Sequence, residues 1–289
     1  MARNLPEKRS WHLPNSYTRI YKFTPPGGMP PESFNRLLVI GGLIVFLFAV
    51  SLALQSSGSL LGSAFYYIFL IPIILISLTL HEYAHALMAD FLGDPTPRRM
   101  GRLSLNPLRH LEPFGTLLLF FAGFGWAKPV VVDPANFRVP KRAMLSVALA
   151  GPLSNLLLAI LGAAMLKALA ASLSFFTLSP ATTLILLKFC ETMIIINLSL
   201  ALFNLLPIPP LDGSRITAYF LPNRYRLQYR QFEQLAPMLL LILFAVGGLG
   251  VILSPAIGYS FNFLNEMFGD PYREIGIYLM RFQAGGMQY

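Results

Sequence analysis

Apolar residues in this chain gather in long runs rather than alternating with polar ones. Leu37 to Leu54 contains no charged residue, and a run of that length is enough to cross a bilayer as a helix. After a short polar link, Gln55 to Ser59, a second run extends from Leu60 to Leu80 and continues as helix through "HEYAHALMADFLG". A third runs from about Ala143 to Leu166 and a fourth from Leu184 to Leu206. Lys188 and Glu191 lie near the start of the fourth at the i,i+3 spacing that pairs charges on a helix. A fifth covers Leu235 to Leu253, and the uncharged stretch past Pro255 to Asn265 is too short to cross again, so it reads as an interfacial or half-span segment.

The interval Gly93 to Arg142 breaks this rhythm. "RRMGRLSLN" and "AKPVVVDPANF" carry extended patterns, and between them "GTLLLFFAGFGW" is apolar but interrupted by glycine. Irregular backbone at membrane depth is tolerated where protein or a wet cavity covers it. The fold predicted is therefore an all-α polytopic membrane protein. It has five to six transmembrane helices and a membrane-reentrant loop containing short β-strands. Residues 1–35 form a polar tail ending in the turn-rich "PPGGMPP", 36–268 form the membrane domain, and 269–289 form a C-terminal tail.

Composition agrees with this reading. Only 12% of residues are charged and 55% are hydrophobic, with a mean hydropathy of +0.60, whereas soluble domains carry roughly 25% charged residues. The net charge of +9 would suit nucleic acid on a soluble surface. Here the cations sit in loops between apolar runs, which excludes that partner and leaves the lipid bilayer. Six precede the first run, eight lie between Arg98 and Arg142, and Arg215, Arg224, Arg226 and Arg230 follow the fourth. Positive-inside counting places the N-terminus in the cytoplasm, with spans two and four both ending on that side. The first run begins after a polar tail and is long for a signal peptide, so an uncleaved span is expected. Cys190 is the sole cysteine, which allows neither an intrachain disulfide nor a cysteine-based zinc site.

Against this apolar background, His81, Glu82 and His85 form H-E-x-x-H at the end of the second span. On a helix the two imidazoles share one face and can hold a single metal ion, with Glu82 beside them as a general base. Ionisable groups at membrane depth are costly and tend to be functional. A catalytic zinc takes three protein ligands and leaves a position for water. The third ligand has two candidates, His110 in "LNPLRHLEPFGT" and Asp212 in "NLLPIPPLDGSRI". The shared ending of spans two and four favours Asp212.

These motifs together resemble the site-2 protease family of intramembrane zinc metalloproteases. The resemblance rests on "HEYAH" at 81–85, "AGPLSN" at 150–155 and "NLLPIPPLDG" at 204–213. The stretch "GRLSLNPLRHLEPFGT" is similar to the compact bacterial and archaeal branch without a PDZ domain, which has Asp where Glu112 stands. The resemblance implies one Zn2+ per chain on His81, His85 and Asp212, with Glu82 as catalytic base. It also implies that Asn204 helps hold substrate or the oxyanion, and Asn155 is a second candidate for that role. The expected activity is hydrolysis of peptide bonds in transmembrane protein substrates, in the plasma membrane of a prokaryote. The alternative is a silent membrane scaffold that keeps a structural zinc. A transporter would spread polar groups along several spans, and a rhomboid-type serine protease would need a histidine on a partner span. Trp11 and His12, and the charges Arg273, Glu274 and Arg281, read as interfacial or solvated surface.

Overall fold

The computed structural model describes residues 60–112, 115 and 127–285. The expected first span, Leu37 to Leu54, the tail before it and most of "GTLLLFFAGFGW" lie outside the described residues. The second run forms helix α1, Leu60–Phe91, which carries the H-E-x-x-H motif in its last turns. A short helix α2, Thr96–Arg99, follows. Helix α3, Pro140–Ser172, begins at a proline, whose missing N–H costs nothing in a first turn. Helix α4, Pro180–Asn204, starts the same way, with the Ser179 side chain accepting from the Thr182 N–H as its cap.

Helix α3 is the hub and packs most extensively on α4 and then on α1. Apolar surface alone does not drive helices together in lipid; close approach at small residues does. Ala159, Gly162 and Ala163 supply it here. A Cβ added to Gly162 would stand 3.0 Å from Ile194 Cγ1 of α4, so the glycine sets how closely the two helices meet. Cys190 is buried in this core beside Ile194 and Leu198, in the packing role its apolar setting suggests. Lys188 and Glu191 form the ion pair that their spacing predicts, at 2.6 Å.

The C-terminal half departs from expectation. Asp212–Phe220 forms the short helix α5, and the stretch read as a fifth span divides into α6, Arg226–Ala245, and α7, Gly248–Met267. The break falls at Gly247, whose φ of 72° is a left-handed conformation that glycine adopts without a Cβ clash. The two helices are bent by 78° there. Pro255 lies within α7, and the segment predicted as a half-span continues as helix to Met267. Residues Pro271–Gly285, within the expected C-terminal tail, form helix α8. Ile275 of α8 is buried in the α3–α4 core, Tyr272 and Leu279 pack beside it, and Glu274 pairs with Lys167 at 2.6 Å. The apolar positions 272, 275 and 279 follow helical spacing, a signal the charged neighbours obscured.

Three described helices are long and apolar enough to cross a membrane: residues 70–91 of α1, all of α3, and α4. The bent α6–α7 pair makes a fourth if counted as one span. Five to six spans are thus not reached among the described residues. Nor are the expected β-strands. The described part of the interval 94–142 holds one isolated antiparallel bridge, Leu111 with Ala127. Pro129 and Pro134 lack the N–H a ladder needs, and the N–H groups of Val130, Asp133 and Ala135 turn to side chains. Val130 N–H donates to Glu82 Oε2 at 3.3 Å and Asp133 N–H to Asp94 Oδ2 at 2.8 Å. Asp94, fully buried, also accepts from Thr96 N–H and Asn136 Nδ2. It ties the loop to the end of α1.

The crossing of α3 yields a direct test. Cysteines placed at Arg138 and Thr177, just outside its two ends, are predicted to be labelled by an impermeant thiol reagent from opposite membrane faces, with little background from buried Cys190. Labelling of both from one face would contradict the fold.

Candidate metal centre

Three ligand atoms from distant parts of the chain meet at one point. His81 Nε2 and His85 Nε2 are 3.1 Å apart, and Asp212 Oδ2 stands 3.2 Å from the first and 3.1 Å from the second. The histidines lie one turn apart on α1, with rings edge-to-face at 84°. Asp212 opens α5, where the chain turns back after α4. Gly213 makes that return possible by close approach rather than by unusual φ, because a Cβ there would overlap the carbonyls of Leu205 and Leu206. All three residues are buried.

Hydrogen bonds on the far side of each ring fix what these atoms can do. His85 Nδ1–H donates to the carbonyl of Val147 at 2.7 Å. His81 Nδ1–H donates to Asn155 Oδ1 at 2.6 Å. The Asn155 amide is oriented in turn, since its Nδ2 donates to Asn197 Oδ1 at 3.0 Å and to the Ser77 carbonyl at 3.4 Å. Asn197 closes the relay by donating to Met193 O at 2.9 Å. With both Nδ1 atoms protonated, each neutral imidazole presents a bare lone pair at Nε2. Two such lone pairs and a carboxylate oxygen face one another, a donor set suited to a divalent cation.

The spacing fits zinc. A tetrahedral ion with bonds of about 2.0 Å requires ligand atoms about 3.3 Å apart, close to the edges observed here. Among the described residues this is the one group of three such side chains whose ligand atoms lie within 4.8 Å of one another. Burial alone raises the Asp212 carboxyl, but the adjacent His85 and His81 outweigh it and hold the carboxyl below the usual carboxylate range.

The other expected residues take distinct places. His110 is buried outside the donor cluster and bonds through Nε2 to the Ser104 carbonyl at 2.7 Å, so it braces the loop. Glu82 is half-buried and lines a cavity of about 360 Å³ together with His81, His85 and Asp212. Asn204, the last residue of α4, lines the same cavity and spends one amide hydrogen on Leu200 O at 2.9 Å. Asn155 does not line it; fully buried, it orients His81 instead of meeting a substrate or oxyanion.

Three contributors escaped the sequence reading. Gly151 of "AGPLSN" lies against both rings, and a Cβ there would come within 2.6 Å of His81 Cε1 and His85 Cε1. Asn197 is the one amide in the run "MIIINLSLALF", a signal that a buried polar partner was needed. Arg215, three residues beyond Asp212, also lines the cavity. From this geometry, Asn155→Leu is predicted to weaken zinc affinity about 10- to 100-fold, the usual effect of losing a partner that orients a ligand. Gly151→Ala should act in the same direction by pushing the rings apart. Chelator competition on purified protein measures both, and affinities within threefold of the unmodified protein would contradict the account.

Comparison with known proteins agrees with the geometry. The model of peptidase family M50 matches residues 69–246, well over half of the chain. YwhC of Bacillus subtilis (strain 168), described as a candidate zinc metalloprotease, is 39% identical over 200 residues, covering 69% of this chain and 90% of that relative. Rip2 of Mycobacterium tuberculosis (strain ATCC 25618 / H37Rv), described in the same way, is 34% identical over 175 residues, 59% of this chain and 64% of its own length. Rip2 of Mycolicibacterium smegmatis is 31% identical over 144 residues, 48% and 52% of the two chains. No solved structure gives a match. The matched region contains all three ligand residues, and the chain belongs to peptidase family M50, the site-2 protease type of zinc metalloendopeptidase.

Proposed function

We propose that this protein hydrolyses peptide bonds of transmembrane protein substrates within the membrane, using one zinc ion held by His81, His85 and Asp212. The observation that carries the reading is the convergence of three ligand atoms at zinc spacing beside the half-buried Glu82 carboxylate, with both histidines on a helix apolar enough to span a bilayer. Zinc, when bound, supplies Lewis-acid chemistry that makes a water molecule a competent nucleophile near neutral pH.

The chain's own residues provide the rest. Glu82 follows His81 directly, so its carboxylate lies beside the imidazole face and can accept a proton from water in the shared cavity. The Val130 N–H donates to Glu82 Oε2 and holds it toward the cavity. Val130 and Val132 line the same space, and the exposed Val131 lies between them. A substrate segment that has left its helix exposes backbone donors and acceptors, and this extended run can pair with them by strand addition. Asn204 retains a second amide hydrogen to offer a substrate carbonyl or oxyanion. A scaffold with a structural zinc would have no use for a half-buried carboxylate at this place.

The positive-inside pattern sets the orientation proposed, with the N-terminus and the 94–142 loop on the cytoplasmic side. The matched relatives are bacterial, which supports a prokaryotic plasma membrane.

Two substitutions separate the roles. Glu82→Gln keeps side-chain size but removes basicity. It should leave zinc bound while peptide hydrolysis falls about 10²- to 10⁴-fold. Asp212→Ala removes a ligand, so zinc content and activity should fall together. Metal analysis and cleavage of single-span substrates in proteoliposomes measure both. Undiminished cleavage by Glu82→Gln would remove it as the base, and full zinc occupancy in Asp212→Ala would remove Asp212 as a ligand.

A further inference from the structure

A second, smaller cavity of about 130 Å³ lies beside the metal site, between the first turn of α3 and helices α5 and α6. By the same measure a single water needs only about 10–15 Å³, so the space admits a polyatomic group rather than a single solvent molecule. Four cations line it, Lys141, Arg215, Arg226 and Arg230, against a single carboxylate, Glu233. The ion pairs formed among the described residues involve none of these four. Glu233, which feels the charges of Arg230 and Arg215, balances at most one of them.

The placement of the cations runs against local helix preference. Lys141 is the second residue of α3 and Arg226 the first of α6. Helix starts carry partial positive charge and unpaired N–H groups, which disfavour cations and attract anions. Concentrating basic side chains there is costly unless an anion completes the arrangement. The Tyr219 ring steadies one cation, with Lys141 Nζ 4.9 Å from its centroid, and Tyr229 donates to Ser214 O at 2.7 Å, docking α6 against α5. Three guanidinium groups can bond bidentately to phosphate oxygens.

We propose that this cavity binds a phosphate group, supplied either by an anionic lipid headgroup or by free phosphate. Arg215 lines both this cavity and the metal cavity, and it shares the nine-residue helix α5 with Asp212. A bound phosphate therefore fixes the helix that presents the third zinc-facing ligand atom. That link rests on the peptidase reading of the metal cavity, whereas the binding does not.

The test reads binding alone. Full-length protein in non-ionic detergent is titrated with phosphatidylglycerol, phosphatidylcholine and inorganic phosphate, with bound copies counted by native mass spectrometry. Each arginine near a lipid phosphate contributes about 1 kcal/mol, or roughly fivefold in affinity. The unmodified protein should prefer phosphatidylglycerol to phosphatidylcholine or bind inorganic phosphate. Arg226→Gln with Arg230→Gln should weaken that binding at least about tenfold, with retained zinc reporting an intact fold. Lys141→Gln, on a different helix, should weaken it roughly fivefold and serves if the double variant fails to fold. Phosphatidylglycerol binding that millimolar phosphate does not displace identifies a lipid headgroup, and displacement identifies a site for free phosphate. Neither a preference for the anionic lipid nor phosphate binding, or equal binding by all variants, overturns the proposal.

Discussion

Three electron pairs pointed at one another need a cation between them, and most of this structure serves to hold that arrangement. His81 Nε2, His85 Nε2 and Asp212 Oδ2 lie 3.1–3.2 Å apart. Brought together without a positive charge they repel, and burial strengthens the repulsion by excluding solvent. The rest of the fold resists it from several directions. Val147 O and Asn155 anchor the rings from behind, Asn197 and Ser77 anchor Asn155, and Gly151 leaves room for both rings against α3. Helix α3 thus backs the site as well as organising the core.

The loop between α1 and α3 completes the cavity through a different device. Asp94 accepts three hydrogen bonds from the loop at the end of α1. Phe137 packs with Ala89, Ala143, Met144 and Val147 beneath it. Together they bring Val130 to Glu82, so one extended segment both steadies the carboxylate and walls the cavity at the metal site. In the described part of the loop, Val130, Asp133 and Ala135 place their backbone N–H groups on side-chain carboxylates instead of on a sheet.

Much of this was legible in the sequence because the strongest signals were local. Three apolar runs and H-E-x-x-H are patterns within single helices, and the shared ending of spans two and four favoured Asp212 as the partner of the histidines. What stayed hidden depended on contacts between helices. No spacing relates Asn155 to His81, and a glycine in a motif does not say which ring it makes room for. The bend at Gly247 is a single φ angle inside an apolar stretch that hydropathy reads as continuous. Extended patterns around Pro129 suggested strands, but prolines and side-chain partners took the donors a ladder would have used. Helix α8 was missed because its charges drew more notice than its buried Ile275.

The coordination itself offers the most direct check. Zinc K-edge X-ray absorption on the purified full-length protein should give light-atom scatterers near about 2.0–2.1 Å, with outer-shell features of two imidazoles. It should show no sulfur scatterer near about 2.3 Å, since Cys190 is buried within the α3–α4 core. A spectrum with one imidazole, with a sulfur ligand, or from protein that retains no zinc would contradict the account.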